Sequence, residues 1–302
     1  MPDARAPEEP GLAKIIRPGH RFGPRENNPI HRTAVSGIEA FSICAQYHGL
    51  AYDGGLKAAD EKPARAIGTL VHVGLAYRYG ALLPTKPEWM VYPTPQAPDP
   101  RHAIWTIGHD NPEARDEALR VFDAYQEFHT TNTLQPVLVE HQFETILPIP
   151  GGPPERYTLR IDLLAYDMLT GQLCLIDHKS AYKLTKNTGY GYRADREMLT
   201  ALMLCRANGH DVQRVVINAM TKERPTPRFG RFDVPISAEA YNRIPRETVY
   251  WIQQMRAVKA AFPDPTDRPR TLASCVRKFG VCDFWPVCSD GPQRLAEFTN
   301  KW

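Results

Sequence analysis

Hydrophobic and polar positions along the chain follow two periods in turn. Ile38, Phe41, Ser42, Ala45 and Gly49 recur at helical spacing behind Ser36-Gly37-Ile38-Glu39, which has the form of a capping box, so a first helix is expected from Ser36 with Cys44 inside it. After a polar loop, Ile67, Leu70, Val71, Gly74 and Leu75 form the apolar stripe of a second helix, Ala64–Tyr79, stopped by Gly80. Asn111-Pro112-Glu113 starts a third, running to Phe128: it offers a cap, a first-turn proline and an acid at the positive end of the dipole. The period then falls to two. Val137, Val139, His141, Phe143, Thr145 and Leu147 alternate as one face of a strand, and Gly151-Gly152-Pro153-Pro154 turns the chain into YTLRIDLLAYDMLTGQLCLIDHKS, residues 157–180. That stretch reads as a hairpin, Tyr157–Asp167 and Gln172–Lys179 around the loop Met168–Gly171. Three consecutive antiparallel strands are therefore expected. Beyond them lie a helix at Arg196–Asn208, a short strand at Val212–Ala219, an edge strand near Phe229–Ile236 and a long helix at Ser237–Ala261. The pattern is that of an α/β protein, a central mixed sheet with an antiparallel meander flanked by helices.

Three stretches escape both periods. Residues 1–33, rich in proline, arginine and glycine, read as a disordered arm ahead of a single domain at 34–302. Six prolines between Pro84 and Pro100 mark residues 80–110 as an extended insertion, a lid or an interface. Asp264–Trp302 is irregular and holds Cys275, Cys282 and Cys288.

Bulk properties exclude little. A net charge of +3 is too small to argue for nucleic-acid binding by itself. No apolar run approaches the ~20 residues of a membrane span and the N-terminus has no apolar signal core, so the chain is expected to be soluble and cytoplasmic, with no membrane partner. Six scattered cysteines favour thiols or metal ligation over disulfides.

The hairpin carries the chemistry. If its four-residue loop closes symmetrically, opposed residues have numbers summing to 339, and Asp162 faces Asp177 with Cβ atoms about 4.5–5.5 Å apart. Like charges so placed repel, and a divalent cation with oxygen ligands is the usual remedy. Lys179, two residues beyond Asp177, shares its face. Singly, each aspartate reads as a surface acid and His72 as a packed helix histidine. Together they are harder to dismiss, because Asp177 follows the apolar run Leu173-Cys174-Leu175-Ile176, where an unpaired charge is expensive.

The order Gly68-x-x-x-His72, then Glu140, then Arg160-Ile161-Asp162, then Ile176-Asp177-His178-Lys179 resembles the RecB-type branch of the PD-(D/E)xK nuclease superfamily. The resemblance spans residues 36–290 and implies a restriction-endonuclease-like core. It also implies a metal site, Mg²⁺ or Mn²⁺, made by His72, Asp162, Asp177 and the carbonyl of His178. Lys179 would orient or deprotonate a water, and Glu140 would hold a second ion or orient water. Cys44 with Cys275, Cys282 and Cys288 resembles the iron-sulfur subset of that branch, the CRISPR-associated and helicase-linked nucleases, in which a [4Fe-4S] cluster clasps the two chain ends; zinc is the alternative occupant. Two departures stand out: six residues separate Cys275 from Cys282 where the subset has two, and Glu197 and Ala201 stand where the family carries glutamine and tyrosine.

The basic and aromatic loop after Lys179 offers Lys183, Tyr190, Tyr192, Arg193 and Arg196 to phosphates and bases, the other reading being a solvated polar loop. The expected activity is that of an exonuclease on DNA ends or single strands, with a helicase, recombinase or integrase as partner. The alternative is a catalytically silent DNA-binding or assembly module that keeps the fold and the cysteine site for structure.

Overall fold

A computed structural model describes residues 31–58, 63–87, 89–90, 99–181, 183–277 and 280–300. The chain begins with β1 (His31–Ala34), α1 (Val35–Ile43), α2 (Ala45–His48) and, after a π-helical turn at Gly49–Asp53, β2 (Leu56–Ala58). Next come α3 (Pro63–Gly80), α4 (Pro100–Ile107), α5 (Pro112–Phe128), β3 (Leu134–Leu147), β4 (Glu155–Asp167) and β5 (Gln172–Ala181). They are followed by α6 (Arg196–Ala207), β6 (Arg214–Thr221), β7 (Phe229–Asp233) and α7 (Ala238–Ala261). The C-terminal segment adds β8 (Val276–Arg277), β9 (Gly280–Val281), α8 (Trp285–Asp290) and β10 (Phe298–Asn300).

Among the described residues β1, β4, β5, β6 and β7 lie side by side in that order, with β3 against β4, as one mixed six-stranded sheet. β3, β4 and β5 form the expected antiparallel meander, α6 carries the chain over to β6 parallel to β5, and β7 closes the edge antiparallel. Helices cover both faces. Ile38 of α1, Leu202 of α6 and Ile252 of α7 share one core with Tyr157, Leu175 and Ile217 of the sheet. Leu75 of α3, Ile104 of α4 and Phe122 of α5 share the other with Leu163, Ile176 and Val216. The second core needs close helix contact: a Cβ on Gly74 would sit 2.6 Å from Ile104 and 2.8 Å from Phe122.

Several expectations need correction. Residues 31–33, assigned to the arm, form most of β1, parallel to the start of β4; residues 1–30 lie outside the described set. The capping box is not used, since α1 begins after Ala34 without a side-chain cap. Cys44 does not lie inside a helix: its backbone is extended (φ −163°, ψ 121°) and separates α1 from α2. The 80–110 insertion contains a helix, α4, capped by Asp99 and packed through Ala103 and Ile104, while residues 88 and 91–98 lie outside the described set. The C-terminal segment is less irregular than its sequence, because β10 pairs antiparallel with β2 and so ties the end of the chain back to its beginning. No helix among the described residues is long and apolar enough to cross a membrane.

Candidate active site

A strand has two edges, and β4 divides one of them. β3 runs along the first edge from Leu134 opposite Asp167 to Leu147 opposite Glu155. The second edge is paired with β5 over Leu163–Asp167 and with β1 over Glu155–Thr158. Residues 159–162 lie in the fork between those two partners. Register in the hairpin sums to 339 from Asp167 opposite Gln172 to Leu163 opposite Ile176, and then the ladder stops. Asp162 and Asp177 are thus not the cross-strand pair expected from the loop, because the strands diverge just before reaching them. Asp162 instead accepts the N–H of His178 on its Oδ2 at 2.8 Å, so a side chain replaces the ladder bond. That bond keeps two carboxylates from meeting at the distance of a non-hydrogen-bonded pair.

A second irregularity aims the acids. Tyr157, Leu159 and Ile161 face the core with α6 and α7, yet Leu163 and Ala165, at the same parity, face the core with α3 and α5. β3 reverses in the same way between Val139 and Phe143. The reversals fall at Glu140 and Asp162, the position skipped by an otherwise continuous register there. Glu140 has φ 49°, a left-handed backbone that costs a non-glycine residue about 1–2 kcal/mol. Its side chain is consequently buried, while that of His141 is exposed.

Each acid has a nitrogen-bearing side chain beside it. Glu140 Oε2 lies 2.9 Å from Arg160 Nε, Asp162 Oδ2 lies 3.6 Å from His72 Nδ1 on α3, and Asp177 Oδ2 lies 3.1 Å from Lys179 Nζ. Lys179 also donates to Glu197 Oε2, in the first turn of α6, at 2.8 Å. These partners do not offset the acids equally. Burial and Asp162 push Glu140 up to about 8 against the pull of Arg160. Burial and Asp162 also push Asp177 well above the usual carboxylate range, further than Lys179 draws it down. Burial opposes ionisation of Asp162 as well, but His72, His178 and the His178 N–H hold it below its ordinary value. Burial works against the Lys179 ammonium, and Asp177 and Glu197 overcome it, so its pKa is raised. Lys179 is therefore a held cation in this arrangement.

His178 points to the opposite face of β5 from Asp177 and Lys179. It stacks on Tyr79, meets His72 edge-on and shares a 2.8 Å hydrogen bond between its Nδ1 and Asn218 Nδ2. Asn218 also donates to the Tyr125 hydroxyl (3.0 Å), which is 2.8 Å from that of Tyr79. Burial pushes the imidazole down to about 3, so it is neutral. This network fixes the strand on which Asp177 and Lys179 ride. Arg160, Tyr79, Tyr125 and Asn218 were not singled out from sequence, nor was Glu39 of α1, which burial, Glu197 and Asp195 push up to about 7. Only the Arg-Ile-Asp step hinted at Arg160.

The four predicted cysteines converge. Cys44, Cys275, Cys282 and Cys288 line one small cavity, together with Tyr47, Arg270 and Phe284. The unexpected six-residue spacing is a hairpin: Val276 pairs with Val281 and Arg277 with Gly280, and Cys282 N donates to Cys275 O at 2.8 Å. Cys275 and Cys282 are thus neighbours across its base. The break at Cys44 sets α2 against the C-terminal segment, where Gln46 bonds to the carbonyls of Pro269 and Thr266 and accepts from Cys288 Sγ at 2.8 Å. Burial, and then Cys282, Cys275 and Cys44, push the Cys288 thiol up to about 11.

The loop after Lys179 is mixed. Tyr190 is exposed, with the Arg193 guanidinium 4.1 Å above its ring, and Lys183 is exposed. Tyr192 lies within the field of Lys179 and Asp177; burial is the larger cause that raises its pKa. Arg196 is half-buried, with its guanidinium 3.4 Å from the Glu247 carboxylate. Gly189 seats the loop on β7, since a Cβ there would lie 2.1 Å from the Asp233 carbonyl oxygen. As the side chains stand, no three His, Cys, Asp or Glu among the described residues form a group that could hold a metal ion. The acids are turned to Arg160 and Lys179, and Cys288 to Gln46.

A family model for the PD-(D/E)XK nuclease superfamily matches residues 32–289. No curated protein matches the chain. A solved structure from Eubacterium rectale, described as a candidate exonuclease, aligns with a TM-score of 0.51 at 11% identity, covering 86% of this chain and 88% of that one. At that identity the likeness concerns the fold. The structure of SSO0001 aligns at a TM-score of 0.37 and 11% identity over 74% of this chain and 84% of its own, too low to argue from.

Proposed function

Because the chain belongs to the PD-(D/E)XK nuclease superfamily, we propose that it is a divalent-metal-dependent DNA exonuclease acting on ends or single strands with little sequence preference. The observation that carries this reading is the fork in β4. It gathers Glu140, Asp162 and Asp177 in a buried space where two of the three are driven toward their neutral forms. A site with more carboxylate than its own cations can offset is suited to a hard cation, and oxygen donors with one imidazole suit Mg²⁺ or Mn²⁺. Asp162, Asp177, His72 and the His178 carbonyl would hold the ion, which when bound polarises a phosphoryl oxygen and acidifies a water. Glu140, strained and buried beside Asp162, would hold a second ion or orient water. Lys179 remains protonated and faces the negative charge that builds on the phosphate in the transition state; Glu197 keeps the ammonium in place. Tyr190 with Arg193, Tyr192 and Lys183 would grip the strand by stacking and phosphate contact.

We assign the cysteine cavity to a [4Fe-4S] cluster that staples the chain ends. Four convergent thiols supply what such a cluster requires, and their mutual repulsion would be relieved by it. Anaerobically purified protein should be brown and contain iron and sulfide. A colourless protein with zinc and no iron would replace that assignment with a structural zinc.

The nuclease test uses end-labelled single-stranded DNA with Mn²⁺. Wild type should degrade it, and Lys179→Ala should be slower by about 10²–10³-fold, the cost of removing a main electrostatic contact to the transition state. Intact DNA with wild type, or equal rates for the two proteins, defeats the reading.

A further inference from the structure

Glu140, Asp162 and Arg160 share the junction where β3 and β4 change faces. Val139 pairs with Leu163 and His141 with Ile161, so Glu140 and Asp162 stand opposite each other between those pairs. Arg160 pairs with Gln142, one step further along the ladder, which makes it the diagonal neighbour of Glu140. Its Nε lies 2.9 Å from Glu140 Oε2, with the carboxylate buried and the arginine exposed. Glu140 keeps a costly left-handed backbone (φ 49°) at the point where its carboxylate turns inward. A divalent ion on Asp162 and Asp177 with a second on Glu140 would make a two-metal site, the ions about 3.5–4 Å apart. The second place is already taken. An ion bonded to Glu140 Oε2 at ~2.1 Å would sit within about 5 Å of a guanidinium nitrogen whose group never gives up its charge. The other two nitrogen partners differ from Arg160. His72 meets Asp162 with a ring that is itself an ion ligand when neutral, and Lys179 is pinned between Asp177 and Glu197.

We propose that the Arg160 guanidinium serves as the second cation of the fork: it holds Glu140 in place of a metal ion, so that the site takes one exchangeable divalent ion, on His72, Asp162 and Asp177. The proposal rests on the metal-dependent reading for the first ion. It gives Glu140 a partner within the chain in place of a second ion. Arg160 is then a positioning residue, since it acts through the carboxylate and not on the phosphate. A charge built into the chain needs no second binding equilibrium, so turnover should follow metal concentration along a simple saturation curve.

The test counts ions. Mn²⁺ added to the full chain is followed by electron paramagnetic resonance, with Asp162→Asn as the control that identifies binding at the fork. Wild type should bind one Mn²⁺ there and show no spin-coupled pair. Arg160→Gln, which removes the charge, should bind two, give the coupled signal of neighbouring ions, and lose the second when Glu140→Gln is combined with it. Arg160→Lys should keep the count at one. In DNA degradation, wild type should respond to Mn²⁺ hyperbolically and Arg160→Gln sigmoidally. Two coupled ions in wild type, or one ion in both wild type and Arg160→Gln, overturn the proposal and leave the metal-dependent reading standing. No Mn²⁺ at the wild-type fork rejects that reading and the proposal with it. The expected counts in a protein that never cuts DNA uphold the proposal and reject the nuclease activity instead. Circular dichroism of each variant separates misfolding from a changed count, and Arg160→Met serves where Arg160→Gln misfolds.

Discussion

The β4 fork and the cysteine cavity both gather groups that repel one another when ionised, and they do so by opposite means. At the fork every acid has its own nitrogen partner: Arg160 for Glu140, His72 for Asp162, Lys179 for Asp177. Among the described residues the cavity has no such set. Cys288 is met by the Gln46 amide oxygen, and Arg270 spends a nitrogen on the Cys288 carbonyl (2.7 Å). Their settings differ too. The fork sits between two cores that span the sheet, whereas the cavity joins chain ends over a small cluster of Leu50, Ala51, Phe284 and Val287. The fork is therefore braced by the sheet from both faces, and the cavity by a far smaller set of apolar contacts.

Substitution at the fork should break activity and spare the fold. Asp177→Asn is expected to slow DNA degradation by about 10²–10³-fold. Its melting temperature should not fall, because the change removes a buried charge without changing shape. A melting temperature several degrees lower would mean that the Asp177–Lys179 pair holds the strand together.

The cysteine cavity should respond the other way. Cys288→Ala or Cys44→Ala should lower the melting temperature by about 10 °C or more, since structural metal sites contribute many kcal/mol and each kcal/mol moves a chain of this size by about 2–4 °C. Chelation that strips only Mg²⁺ or Mn²⁺ should stop turnover and leave the melting temperature nearly where it was. A small, local effect of the cysteine changes would show that β10 against β2 already closes the ends.

Lys179 lies between the two extremes. Asp177 and Glu197 together keep it protonated, so Glu197→Gln, which keeps the hydrogen bond and removes one of two charges, should slow the reaction by less than about tenfold. A loss as large as that of Lys179→Ala would make Glu197 a direct participant in the chemistry.

How far these two sites could be read from sequence follows from their geometry. The hairpin register was legible because a period of two and a four-residue loop fix it, and it holds from Asp167 to Leu163. The fork was not, since β1 comes from more than 120 residues upstream to take the edge that β5 leaves. Face reversal at Glu140 and Asp162 was hidden for a related reason: alternation assumes that a strand keeps its faces, and so it put Val139, His141 and Phe143 on one face. The helix break at Cys44 carries no glycine or proline to announce it. The Cys275–Cys282 spacing looked discordant because separation along the chain ignores a hairpin, although Val276 and Gly280-Val281 were there to suggest one.

The smallest effect tests whether the carboxylates around Lys179 act as one field. Glu39 belongs to α1, outside the sheet, yet its carboxyl is raised from its ordinary value to about 7 by burial first and by Glu197 and Asp195 next, against Lys179 and Arg196. Below pH 4.5 it is protonated in both the folded and the unfolded chain and contributes nothing. As pH rises from 4.5 to about 7 the unfolded chain gives up its proton while the folded one keeps it, so the folded state binds more protons and loses stability. Above that window the cost is constant. Glu39→Gln should therefore melt with wild type at pH 4 and above it at pH 8, by about 2 °C or less because the group is partly exposed. The gain should shrink when Glu197→Gln is combined with it, since one of the two opposing charges is then already gone. A gain that is the same at both pH values, or unaffected by Glu197→Gln, would place Glu39 outside the electrostatics of the fork and leave Lys179 answering to Asp177 and Glu197 alone.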